Sequence, residues 1–192
     1  ARTDKDGRIV FKGKDPLPGG IYLFVFPGKT YFEMIVDKEQ YFTMELDPSD
    51  PIHTMTVKGS TDNQLFYDYL KFIQEQSKAV EPLRAERKAK ADAKESTVEV
   101  DKKIKAVDKA VIDYKLNYIK LHPNTLLAKV FLASQEPEVP EAPLLDNGKK
   151  DSTFAFRYYK EHYFDDFDFA DDRLLRTPVY HNKVSSYLKN LT

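Results

Sequence analysis

Gly59 separates two stretches of different hydrophobic period, and that change constrains the fold more than any other feature of the chain. Before it, short β-branched and aromatic runs alternate with turn residues, the pattern of strands rather than helices. The runs fall at residues 8–12, 21–26, 31–36, 41–46 and 54–58. Pro16-Leu17-Pro18-Gly19-Gly20 and Pro27-Gly28-Lys29 punctuate them, which predicts an antiparallel meander. In the fourth run Phe42, Met44 and Leu46 alternate with Thr43 and Glu45, as on a half-buried strand.

After Gly59 the period becomes helical. Thr61 with Gln64 reads as a capping box ahead of Leu65, Phe66, Tyr69, Leu70, Phe72 and Ile73. Beyond Pro82 the sequence is nearly all Ala, Lys, Arg, Glu and Asp, which predicts an exposed, mobile helical arm near residues 84–98. Ser96 with Glu99 forms a second capping box. It precedes Val100, Ile104, Val107, Val111, Tyr114, Tyr118 and Leu121 at alternating spacings of four and three. His122-Pro123 ends that helix, and Asn124 or Thr125 caps a shorter one carrying Leu126, Leu127, Val130 and Phe131. Pro137, Pro140 and Pro143 make an extended connector. Ser152 or Thr153 then starts an aromatic helix, and Thr177-Pro178 starts the last. The expected fold class is α+β, with a partial antiparallel β domain at 1–59 followed by a helical domain at 60–192.

With 192 residues the chain is long enough to bury a sizeable core without covalent staples. Its 30 Lys and Arg nearly balance 31 Asp and Glu, so no net basic field points to nucleic acid. The chain has no cysteine, which excludes disulfides, thiolate metal sites and thiol chemistry by its own residues. Its longest apolar run, residues 21–26, is far short of the ~20 residues of a spanning helix.

The acids Asp165, Asp166, Asp168, Asp171 and Asp172 crowd one loop, as around a hard cation. Numbered from Asp166, however, the loop has Ala170 at position five, Asp171 where calcium loops need glycine, and Thr177 where they need glutamate. Solvated loop acids explain the cluster better, and no metal or cofactor is expected. His53, His122, His162 and His181 are scattered, without the i, i+4 pairing of helical ligands. Neither a nucleophile elbow nor a glycine-rich phosphate loop occurs, so the chain reads as a non-enzyme.

The aromatic-rich segment remains. Phe154, Phe156, Tyr158, Tyr159 and Tyr163 fall within ten positions, and Phe164, Phe167 and Phe169 follow. Such rings could form a ligand-stacking groove or pack into the core, but rings on opposite sides of one helix do not all enter one core, so part of this set faces a partner or the sheet. The candidate interaction surface is Phe156, Tyr159, Tyr163, Phe164, Phe167, Phe169, Arg173 and Arg176, the arginines making structural salt links with the acidic loop.

Gly19-Gly20-Ile21-Tyr22, the 31–37 segment and Lys58-Gly59-Ser60 with Asn63 and Phe66 resemble the end of an uncharacterised β-rich domain. That domain commonly opens exported bacterial thiol-disulfide oxidoreductases. Phe156-Arg157-Tyr158-Tyr159-Lys160, His162, Tyr163, Asp165, the run from Asp172 to Pro178 and His181-Asn182-Lys183 resemble the helical domain that follows it. In that architecture a thioredoxin-like module comes next. The resemblance implies an accessory region that positions this module in cis, binds a protein partner or forms a homodimer. It also implies a periplasmic or envelope location, with a lipid anchor upstream. The family's active-site cysteines have no counterpart here, and no catalytic residue is carried over. The alternative is a stand-alone extracytoplasmic module binding a ligand or glycan through residues 154–169.

Overall fold

A computed structural model describes residues 3–192 and shows an α+β fold in which small antiparallel sheets precede a helical region. Strands β1 (Gly20–Val25) and β2 (Tyr31–Val36) form a hairpin in which Gly20 faces Val36 and Val25 faces Tyr31. Gly28, at φ 98°, takes the left-handed conformation its turn requires. Strands β3 (Thr43–Glu45) and β4 (Thr56–Lys58) make a separate antiparallel pair, with the one-turn helix α1 (Pro51–Thr54) between them.

The expected single meander is thus two hairpin-like pairs. The run at 8–12 is no strand: it pairs with none of the described strands, and only its first residue, Arg8, is tied into a local turn, its N–H held by the Asp4 carboxylate. The run at 54–58 loses its first residue to α1, where Thr54 Oγ1 donates to the Asp50 carbonyl at 2.6 Å.

Helix α2 (Thr61–Asp92) runs through Pro82, and α3 (Val98–Leu121) returns beside it to form a long helical hairpin. The α2 cap lies one residue before the expected one. Ser60 Oγ accepts the Asn63 N–H, whereas Gln64 reaches back to the Val57 carbonyl at 3.0 Å. The second expected box also shifts, with Thr97 at the N-cap and its hydroxyl on Asp101 at 2.8 Å. Helix α4 (Leu126–Ala133) is capped by Thr125, α5 spans Phe154–Glu161, a 3-10 turn covers Asp172–Arg176, and α6 (Pro178–Asn190) starts with proline.

The core forms where β2, β4, α2, α3, α4 and the 3-10 turn meet, around Ile35, Val57, Phe66, Tyr118, Leu126 and Leu174. Fully burying each such side chain is worth about 1.5–3 kcal/mol. Helix α4 lies deepest and is apolar at nearly every position. On α3 the expected stripe turns inward from Val100 to Tyr118, while Leu121 remains exposed.

One polar side chain organises the join between sheet and helices. Asn63 is 0% exposed; its Oδ1 accepts the Ile35 N–H and its Nδ2 donates to the Ile35 carbonyl, both at 2.7 Å. The amide therefore stands where another strand would pair with β2, and satisfies backbone groups that burial would otherwise orphan.

Candidate interaction surface

Helix α5 begins where Asp151 accepts the Thr153 N–H at 2.9 Å and the Thr153 hydroxyl at 2.8 Å. Arg157 closes back on the same carboxylate at 2.6 Å. These contacts hold the Asp151 carboxyl below its ordinary range, the Thr153 hydroxyl contributing most. The helix has no buried residue, so its rings are divided between packing and solvent rather than sunk into the core. On one flank Phe154, Tyr158 and His162 pack in series, with centroids 5.6 and 4.1 Å apart. His162 Nδ1 lies 2.6 Å from the Asp165 carboxylate.

On the inner side, Tyr159 donates its hydroxyl to Glu136 on the proline-rich connector. That bond to a carboxylate, helped by burial, pushes the phenol up to about 12. Tyr163 is only 3% exposed and touches Tyr187 of α6, with Lys183 Nζ 5.0 Å from its ring centre. Phe167, 6% exposed, packs against Tyr180. Tyr163 and Phe167 are therefore core residues and not the surface expected of them, because α6 folds across the loop that follows α5. Phe164 is half-buried against Tyr163 and Tyr187. The two outermost positions are Phe156, 55% exposed, and Phe169, 61% exposed.

Arg173 and Arg176 form a junction with the N-terminal hairpin. Arg173 donates to Asp37 at 2.5 Å and, from Nε and a terminal nitrogen, to Asp171 at 2.8 and 2.6 Å. Arg176 Nε donates to the Gly19 carbonyl at 2.7 Å, and its terminal nitrogen reaches Asp172 at 2.9 Å. The arginines thus make the structural links expected, and Arg173 also ties the turn to β2's end. Backbone approach is close enough that a Cβ at Gly20 would lie 2.5 Å from the Arg176 Cβ. That contact explains the glycine better than a turn does.

The acidic loop is divided among different partners. Asp165 faces His162, Asp168 takes the Ala170 N–H and pairs with Lys129, Asp171 holds Arg173 and Asp172 holds Arg176. Among the described residues no three His, Asp or Glu side chains are placed to hold one metal ion. No described helix is long and apolar enough to cross a membrane.

Two residues here are more telling than the sequence reading allowed. Lys183 is 5% exposed and donates to the Gln135 carbonyl at 2.5 Å, fixing the start of the connector to α6. Its signal was a lysine four residues after Val179 and four before Tyr187, inside an apolar stripe. Glu136, which takes the Tyr159 hydroxyl, carried no comparable signal. Comparison with protein-family models, curated proteins and solved structures finds no match to this chain.

Proposed function

We propose that this chain is a non-catalytic docking region, and that it serves as the accessory part of an envelope thiol-disulfide oxidoreductase whose thioredoxin-like module lies outside it. The observation that carries docking is the exposure of Phe156 on α5 and of Phe169 in the loop that follows it, the latter resting with one face on Phe164 and Phe167 at centroid distances of 5.2 and 4.7 Å. Exposed aromatics of this kind supply rigid anchors for a protein partner at small entropic cost. The surface around them is held by Asp151, Glu136 and Lys183, so it is preorganised before any partner arrives. The redox context and envelope location are supported by the sequence resemblance.

The coding sequence beyond Thr192 tests the redox reading. A thioredoxin-like domain with a C-x-x-C pair supports it, and a stop codon overturns attachment in cis. Docking is tested by adding that module, expressed separately, to this chain and following amide shifts by NMR. Shifts around Phe156 and Phe169 that vanish in the Phe156→Ala/Phe169→Ala double variant support the surface. Shifts that persist in the variant place the docking elsewhere.

A further inference from the structure

The helical hairpin carries a second feature, remote in sequence from the aromatic loop. Arg84, Arg87, Lys88 and Ala91 recur along one face of α2, and Asp101, Ile104, Lys105 and Asp108 along one face of α3. Two helices packed along such faces would normally interlock apolar side chains. Here only Ala91 and Ile104 are apolar, and the eight residues line an open cleft of about 700 Å³.

The cleft's charges are unevenly committed. Arg87 Nε donates to Asp101 at 2.6 Å, and Asp101 is held in turn by the Thr97 hydroxyl at 2.8 Å. This orients the guanidinium and leaves its terminal nitrogens without a hydrogen-bond partner among the described residues. Arg84, Lys88 and Lys105 make no ion pair within 4.0 Å among the described residues, although neighbouring Lys90, Lys102 and Lys109 each have one. Asp108 is the one carboxylate of the cleft that is likewise uncommitted.

We propose that this cleft binds a compact polyanion of the phosphate class, carrying at least two phosphoryl groups. Arg87 supplies directed paired donors, while Arg84, Lys88 and Lys105 supply positive charge around them. The lining spans eight residues on each helix, about 10 Å from end to end at a rise of 1.5 Å per step, which suits a diphosphate and is short for a docked helix. Asp108 repels an anion at its end of the cleft, so a neutral or cationic part of the ligand lies there.

Pyrophosphate, orthophosphate and a hexaglutamate peptide, each titrated into the ¹⁵N-labelled chain at fixed ionic strength, test this. The proposal expects saturable pyrophosphate shifts at the Ala91 and Ile104 amides, with orthophosphate weaker by about tenfold. Lys88→Glu and Lys105→Glu should each weaken pyrophosphate by about tenfold or more with unchanged circular dichroism. Lys109→Glu, whose lysine is paired with Asp113 outside the cleft, should change it less than about twofold. Shifts that do not saturate, equal losses in all three variants, equal binding of orthophosphate, or tighter binding of the peptide would each overturn the proposal.

Discussion

Arg173 donates to Asp37 across 136 positions of sequence and so joins the 3-10 turn to the end of β2. The same guanidinium also holds Asp171, and all three side chains are largely shielded from water. Replacing Arg173 with alanine leaves two shielded carboxylates without their cation, so Arg173→Ala should cost about 3 kcal/mol in urea unfolding. Asp171 adds a pH dependence. Its hydrogen bonds to Arg173 hold its carboxyl below the ordinary value of 3.8, outweighing the upward push of burial. A carboxylate lowered in the folded state contributes stability above its unfolded pKa, lost as pH falls through the folded value. Acidification below about pH 4 should therefore destabilise the native chain more steeply than Arg173→Ala.

Asn63 makes a sharper test, because its amide both donates to and accepts from Ile35. Asn63→Ala should cost about 3 kcal/mol, since two buried backbone groups lose their partners at once. Asn63→Asp keeps an acceptor for the Ile35 N–H but sets a carboxylate oxygen against the Ile35 carbonyl. Its deficit relative to the native chain at the same pH should shrink on acidification, when the carboxyl regains a donor. A deficit independent of pH would show that the Ile35 carbonyl does not need the amide.

Lys183 predicts the opposite limb. Burial lowers its ammonium from the ordinary 10.5, against the upward pull of Glu136 and Asp166. The unfolded chain then holds the proton more tightly, so this residue makes stability rise with pH between the folded and unfolded pKa values. Tyr159, raised to about 12 by Glu136, acts in the reverse sense above pH 10, so the contribution must be read as a difference. Lys183→Met preserves the stem against Tyr163, and the stability gap between native chain and variant should widen in favour of the native chain from pH 8 to 10. A constant gap would mean that the ammonium titrates as it does in the unfolded chain.

The sequence was most legible where a single physical rule decides. The change of period at Gly59, the stop at His122-Pro123 and the proline opening of α6 are local, and each reappears in the structure, as does a cap at Asn124 or Thr125, where the structure chooses Thr125. What was not legible depends on distant partners. Phe42, Met44 and Leu46 alternate like a strand, but only Thr43–Glu45 pairs, because the partner strand that follows α1 is equally short. The aromatic loop had no internal sign that Tyr163 and Phe167 would turn inward, since α6, which covers them, begins more than ten residues later. Asn63 shares a helical face with Phe66, Tyr67 and Leu70, and that lone polar residue in an apolar stripe was a readable hint of a buried amide.

The division of the aromatic segment gives a contrast between two rings seven residues apart. Tyr163 touches Tyr159, Phe164 and Tyr187 and lies beneath Lys183, so Tyr163→Ala removes packing from several elements at once. It should lower stability by about 3 kcal/mol, as deletion of a buried ring does. Phe156 stands in solvent on α5, and Phe156→Ala should change stability by less than about 0.5 kcal/mol, its outcome set mainly by alanine's better helix propensity. Thermal or urea unfolding of the two variants separates core from surface without a partner in hand. Equal, large losses would mean that Phe156 packs into the fold, and the proposed docking surface would then lose one of its two exposed anchors.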